Sequence, residues 1–271
     1  MSSNSTLSVI VKLKNNNLGI PVHLVSEMVR MPEVTALPTG LSHARGIITI
    51  RKKAIPVIDL RTLFDLETLR EEDRALINLM TEREADHVNW LRELENSVNE
   101  NKAFTLATDP HKCNFGKWYD NFTTDHLMLG STLAKFDSPH KKIHGIAENV
   151  LALAANGQQE QAKQIIEETR DNELSAMIQL FGRARDVIKN DSREMVLILD
   201  LSGFLLGLAV DAIVSVEDLE EQENEEVPEM LQQTGNGFFH GIAESRVNQR
   251  MVLLLDTNRL LSAGQSLREA V

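Results

Sequence analysis

The sequence predicts an α+β fold: a discontinuous all-β domain whose two halves flank an inserted antiparallel four-helix bundle. Three observations carry this reading. Residues 7–66 and 195–262 consist of short Val- and Ile-rich runs separated by Asn, Gly, Pro or Lys-Lys turns. Residues from about 70 to 191 switch to apolar positions at steps of three and four. The two β stretches also repeat one another, which sets the boundaries at 1–70, 71–191 and 192–271.

The first half contains the strand-like runs "LSVIVKL", "LGIPVHLVSEMVR", "RGIITI" and "AIPVIDL"; the second contains "MVLILDL", "FLLGLAVDAIVSV", "FFHGIAES" and "MVLLLDT". "GIITIRKKAIPVIDLRTLF" from Gly46 aligns with "GIAESRVNQRMVLLLDTNRLL" from Gly241. Each has a glycine, a strand, a polar turn, an apolar strand, an aspartate (Asp59, Asp256) and a short Leu-containing helix. A duplicated half-unit of this kind suggests paired small barrels or one sandwich, because closure or stacking protects strand edges. The apolar run "MVLILDLSGFLLGLAVDAIV" is long enough to pass a loose membrane filter. Asp200, Ser202, Gly203 and Asp211 interrupt it at turn-like positions, so it reads as two buried strands joined by a tight turn.

Between the halves, four amphipathic stretches follow in order. The first carries Leu76, Leu79, Arg83, His87, Trp90, Leu94 and Val98; the second Phe122, His126, Leu129, Leu133 and Phe136. The third carries His140, His144, Ala147, Val150, Leu151 and Ala154; the fourth Ala162, Ile165, Thr169, Leu174, Ile178, Phe181 and Val187. Ser138 before Pro139 predicts a helix start, and Asn156-Gly157 a helix stop. An antiparallel bundle returns its chain to its starting point, which lets it interrupt a host domain.

The chain has 271 residues, 42% of them hydrophobic, which is enough for a sizeable core. Its net charge of -12 argues against a nucleic-acid surface and for protein partners. One cysteine excludes an internal disulfide, and "MSSNSTLSVI" lacks the basic and apolar regions of a secretory signal, so a cytoplasmic location is expected. The acidic run "EDLEEQENEEVPE", residues 217–229, reads as a solvated loop. There is no Gly-rich phosphate loop or kinase signature, and no nucleotide chemistry is expected.

The chemistry concentrates in the helical region. His140 and His144 are four residues apart on one helical face, a spacing at which two imidazoles can reach one ion. A third imidazole from the first helix and the thiolate of Cys113 would complete a His3Cys shell, which suits zinc better than magnesium or calcium. Asp109 followed by Pro110 reads as an N-cap and first helical residue. This puts Cys113 in the first turn, where the helix dipole favours a thiolate. Gly116 would permit close approach of another helix, with Phe115, Trp118 and Phe122 as packing. His111 and His126 compete for the ligand roles on spacing alone.

"HVNW" (87–90), "CNFGKWY" (113–119) and "HKKIH" (140–144), in this order, resemble the chemoreceptor zinc-binding (CZB) domain of bacterial signalling proteins. The resemblance implies that His87, Cys113, His140 and His144 hold one Zn2+ per chain, that His111 and His126 are structural or support the ligands from behind, and that two copies pair as a homodimer. The flanks resemble the chemotaxis coupling protein CheW in "GIPVHLVSEMVRMPEVTALP", "RGIITIRKKAIPVIDLRTLF", "FLLGLAVDAIVSVEDL" and "MVLLLDTNRLL". This implies two small five-stranded barrels that bridge chemoreceptors and the histidine kinase CheA. Arg51 matches an arginine implicated in partner contacts, but Lys52 stands where that family's turn has glycine, so an altered turn is expected.

Glu148 and Asp86 are candidates to orient the zinc-binding histidines. Four protein ligands would close the site to water, and Lys141 occupies the position of the glutamate base in a His-Glu-x-x-His hydrolase, which weighs against an enzyme. Oxidation of Cys113 would remove the single anionic donor. The resemblance implies a sensor of zinc or of an oxidant such as hypochlorous acid. The alternatives are a zinc-dependent hydrolase and an adaptor with a purely structural zinc.

Overall fold

The computed structural model describes residues 5–38, 40–190, 194–221, 237–245, 247 and 249–269. Most of the acidic run at 217–229 and the expected boundary at 191/192 lie outside these residues. The chain forms two compact units, Met1–Glu71 with Arg193–Val271, and Glu72–Ser192.

The β unit begins with β1 (Ser5–Leu13) and β2 (Asn16–Pro21), then β3 (Val25–Arg30), β4 (Ala44–Ile50), β5 (Lys53–Asp59) and the single-turn helix α1 (Leu60–Leu63). It resumes with β6 (Met195–Leu201), β7 (Phe204–Val210), β8 (Ala212–Glu221), β9 (Phe239–Ser245), β10 (Met251–Leu255) and the helix α9 (Thr257–Glu269). The two long runs of the sequence each divide: a 3-10 turn at Val22–Leu24 separates β2 from β3, and Asp211 separates β7 from β8. One sheet is a closed barrel in the order β1-β2-β10-β9-β8, and the other is five-stranded in the order β3-β6-β7-β5-β4. Its two edges are tied by a single antiparallel bridge, Thr35–Ile47, formed by the segment leaving β3.

The repeat is deeper than the aligned glycines suggest. The hairpin β1–β2 corresponds to β6–β7, and β10 runs parallel to β2 as β5 runs parallel to β7. Leu254 lies opposite Gly19 where Val57 lies opposite Gly207. The same bulges recur as well. Ile10 and Val11 face Ser215 and Ile213, just as Ile198 and Leu199 face Glu27 and Val25. At Gly19 and at Gly207 an added Cβ would come within 3.0 Å of the side chains filling that sheet's interior, so both positions leave little room for a larger residue. Asp59 Oδ1 accepts from Arg61 N at 2.9 Å and Asp256 Oδ1 from Asn258 N at 3.0 Å, so both aspartates start their helices. Each sheet takes its hairpin from one half of the chain and its other three strands from the other half. Neither half can complete a sheet alone.

Strand alternation divides the apolar residues among three layers. Ile10, Leu219, Ala243, Val252 and Leu254 fill the barrel, and Ile48, Ile55, Val57, Val196, Ile198 and Ala209 line the second sheet. Val9, Val11, Leu197, Leu199 and Leu208 point the other way and pack with Leu60, Leu63, Leu260 and Leu267 of the two helices. β6 is therefore buried on both faces, which explains the uninterrupted run "MVLIL". Among the described residues no helix is long and apolar enough to cross a membrane.

In the helical unit, α2 (Leu69–Glu100) starts at a capping box, with Thr68 N donating to Glu71 Oε2 at 2.9 Å and Glu71 N to Thr68 Oγ1 at 3.2 Å. A 3-10 turn at Pro110–Lys112 leads to α3 (Asn114–Tyr119). Next come α4 (Leu127–Leu133), a 3-10 turn at Ala134–Phe136, α5 (Asp137–Gly145) and α6 (Ala147–Ala155). These follow one another without a loop, so the second and third predicted stretches are one helical run. Ser138 does not cap a helix; Phe136 before α5 is already helical, with no side-chain cap. The bond that Pro139 cannot donate falls in the tighter 3-10 turn, which tolerates it. Asn156 and Gly157, the latter at φ +76°, do end α6.

The last run is α7 (Gln159–Thr169), a π-helical turn at Arg170–Leu174 and α8 (Ser175–Asn190). The five-residue step from Thr169 to Leu174 in the apolar stripe marks that turn, since a π turn inserts one residue. Beyond it the buried positions are Leu174, Met177, Phe181, Ala184 and Ile188, while Ile178 is exposed.

Candidate metal centre

α2 carries His87, the start of α3 carries Cys113, and α5 carries His140 and His144. One ligand atom from each of the four lies within 4.8 Å of the others, and the three histidines are buried. Cys113 Sγ is 3.2 Å from His140 Nε2. The imidazole ring centroids are 4.9 Å apart for His140 and His144, 5.1 Å for His87 and His140, and 5.7 Å for His87 and His144.

Backbone carbonyls set the orientation of two of these rings. His87 Nδ1–H donates to Arg83 O at 2.7 Å, one turn earlier in α2, and His144 Nδ1–H donates to Ala107 O at 3.1 Å. A carbonyl can only accept, so both rings carry their proton on Nδ1 and present a bare Nε2. Those two Nε2 atoms are buried and have no hydrogen-bond partner. Two inward-facing lone pairs beside a third imidazole and a sulfur fit a borderline-soft cation that takes nitrogen and sulfur donors in a tetrahedral shell. Asp86 instead pairs with Arg83 at 2.9 Å, and Glu148 is exposed on α6. Main-chain acceptors cannot be read from residue type, although Arg83, four residues before His87, is a locatable one.

Burial depresses the basicity of all three rings. His140 is pushed down to about 3 and His144 to about 4, by desolvation first and then by the neighbouring imidazoles. His87 is also lowered, again by burial. All three are neutral at pH 7, the form that binds metal. Cys113 differs from expectation. It does not sit in the first turn after Pro110; it is the residue before α3, with its Sγ accepting from Gly116 N at 3.2 Å. Burial raises its pKa, outweighing the favourable N–H groups of Gly116 and Phe115, and the thiol donates to Pro110 O at 3.3 Å. Without metal the group is a thiol, not a thiolate.

Gly116 is required by the same turn. A Cβ there would lie 1.9 Å from Pro110 O, so the close approach is by the preceding backbone and not by another helix. Phe115 is fully buried and meets His140 edge-on at 5.0 Å. A cleft of about 210 Å3 lined by Asp86, Lys112, Cys113, Asn114 and His144 opens beside the sulfur.

The competing histidines lie outside the cluster. His111 pairs with Asp120 at 2.9 Å on the surface, and His126 Nδ1 accepts from Leu129 N at 3.3 Å at the start of α4. Arg51 belongs to the β unit, in the β4–β5 turn, exposed and 3.3 Å from Glu27. That turn keeps positive φ at both central residues, 47° at Arg51 and 66° at Lys52, despite the missing glycine.

A duplicated β scaffold interrupted by a helical unit with a His3Cys cluster defines the class of protein. The chain belongs to the CheW-like domain family, whose model matches residues 8–87 and 174–265. A second model, the chemoreceptor zinc-binding domain, matches residues 87–151, between those two segments. Among solved structures the chain is similar to the scaffolding protein TtCheW from Thermoanaerobacter tengcongensis, at 14% identity over 93% of this chain and 89% of that one, with a TM-score of 0.41. No curated protein matches it.

Proposed function

We propose that the protein is a non-enzymatic chemotaxis adaptor that couples chemoreceptors to the histidine kinase CheA through its β unit, with the coupling set by the zinc state of the bundle. His87, Cys113, His140 and His144 would hold one Zn2+ per chain. The observation that carries the reading is the convergence of three imidazoles and one thiol inside a bundle inserted where the two halves of a CheW-like domain meet. Bound there, the ion would supply a positive charge that tethers α2, α3 and α5. Four protein donors leave no open position for substrate or water, which favours regulation over hydrolysis.

The chain's own residues then perform the sensing. Cys113 faces a cleft, so a small oxidant can reach its sulfur. With hypochlorous acid the zinc-holding thiolate would become a sulfenic acid, the oxidant's chlorine leaving as chloride and its hydroxyl staying on sulfur, and the only anionic donor is lost. α3 is then released from α2 and α5, and the change passes to the β unit through the junctions near residues 70 and 191. The family resemblance extends this reading to a cytoplasmic homodimer paired through the bundle, which sedimentation of the full chain would test.

The deciding experiment follows zinc content and kinase activity in a reconstituted receptor–kinase complex while the thiol is oxidised. Coupling should change in step with zinc release. Constant coupling as zinc leaves would reduce the site to a structural one. Zinc content of one per chain that falls away in Cys113→Ala tests the ligand assignment itself.

A further inference from the structure

We infer that Trp90 is a positioning residue for the metal centre: its indole N–H and the His144 Nδ1–H converge on the Ala107 carbonyl, so the loop over residues 101–109 decides which nitrogen of His144 faces the sulfur. The inference rests on the zinc reading above. His87 is oriented from within its own helix, by a carbonyl four residues away. His144 depends on a carbonyl 37 residues away in sequence. Something must hold that carbonyl in place.

Trp90 does so. It is 4% exposed, and Nε1 donates to Ala107 O at 2.8 Å, shorter than the 3.1 Å bond from His144. The two donors occupy both lone pairs of one oxygen. The indole also packs on the His144 ring at 4.8 Å and on Phe104 of the same loop at 5.3 Å. The rest of the loop is pinned at its ends, where Ser97 Oγ donates to Lys102 O at 2.7 Å and Asp109 Oδ1 accepts from His111 N at 3.0 Å. The second pin leads directly into the turn that carries Cys113. The loop therefore links two of the proposed ligands, and Trp90 anchors its middle.

The test replaces Trp90 in the full chain by benzothienylalanine, which keeps the ring shape and removes the N–H, with Trp90→Phe as a second variant. Nitrogen NMR of the metal-free protein reads the tautomer of each histidine, and competition with a chromophoric chelator reads zinc affinity. The expected result is a mixed tautomer at His144, an unchanged Nδ1–H tautomer at His87, and a Kd for zinc raised roughly 10- to 100-fold. A wild-type tautomer at His144, or an unchanged Kd beside a shifted tautomer, would overturn the assignment and leave Trp90 as packing. If the unsubstituted protein itself takes up no zinc, the zinc reading fails, and the tautomer comparison still decides the role of Trp90.

Discussion

The β unit and the helical unit both bury polar side chains, but they satisfy them differently. In the β unit, Arg61 forms two bonds to Asp211, at 2.7 and 2.6 Å, and a third to Glu67 O at 2.7 Å. Buried Glu217 is held by Arg250, Ser215 and Ser245. The chain supplies these partners itself, and the bonds from Arg61 to Asp211 and from Arg250 and Ser245 to Glu217 join segments far apart in sequence. In the bundle, His87 and His144 spend one nitrogen on a carbonyl and leave the other aimed at Cys113 and His140. Burying a polar atom without a partner is unfavourable by about 1–3 kcal/mol, so such an arrangement is retained where something else completes it. Single buried atoms without a partner also occur in the β unit, at His43 Nε2 and Arg250 Nε, so what marks the bundle site is that its bare nitrogens come from residues gathered into one cluster with a sulfur.

The sharpest way to break this contrast is to remove the ligand. If the site holds zinc as proposed, chelation should lower the melting of the bundle strongly and leave the β unit nearly unchanged, as circular dichroism at helix and sheet wavelengths would separate. Structural zinc contributes roughly 10–16 kcal/mol of binding energy over four ligands. Loss of one, as in His140→Ala or Cys113→Ala, should then raise the Kd about a hundredfold or more.

Next in size is the reverse case. Arg61→Ala leaves the mostly buried Asp211 carboxylate without its counter-charge, held by the Lys14 N–H at 2.6 Å, and should destabilise the β unit by about 3 kcal/mol, as breaking a buried pair does. Urea unfolding should show this loss equally with and without zinc. A zinc-dependent loss would mean that the two kinds of polar group are not separate.

Acid should act on the metal-free bundle in a defined window. His87, His140 and His144 have folded-state pKa values below the ordinary 6.5, with His144 at about 4 and His140 at about 3. From pH 6.5 downward the unfolded chain takes up protons that the folded chain refuses. The stabilisation present above 6.5 is thus lost as pH falls towards 3, amounting to a few kcal/mol after allowance for partial solvent access. Metal binding sharpens the point. Because the imidazoles are already neutral and the Cys113 thiol is raised by burial, zinc uptake at pH 7 should release about one proton, measurable by calorimetry in buffers of different ionisation enthalpy.

The smallest expected effect lies in the β4–β5 turn. Lys52 holds φ at 66°, a region that disfavours side chains, so Lys52→Gly should stabilise the β unit by about 1 kcal/mol without altering zinc affinity. An unchanged or lower melting temperature would show that this turn is not strained by its lysine.

Much of the bundle was legible because its signals are local. The His140/His144 spacing and the Asn156-Gly157 stop both lie within one or two turns of chain. The join between the second and third stretches is hidden in the sequence for a local reason as well. Ser138-Pro139 is a good start signal, but the 3-10 turn before it absorbs the missing N–H, and a preceding helix can then continue. Sequence alone points to a helix-favoured thiolate at Cys113, because proximity to a helix start is visible in sequence and burial is not.

What the sequence by itself determined is whatever depends on near neighbours: strand alternation, helical stripes, the Asp59 and Asp256 caps, and the residue types able to hold a soft cation. Tertiary structure alone decided how hairpins are exchanged between the two sheets, which carbonyls turn His87 and His144, and whether Cys113 keeps its proton. The physical reason is the same in each case. Periodicity and capping involve groups at most four residues apart, whereas desolvation and long-range hydrogen bonds depend on atoms that folding alone brings together.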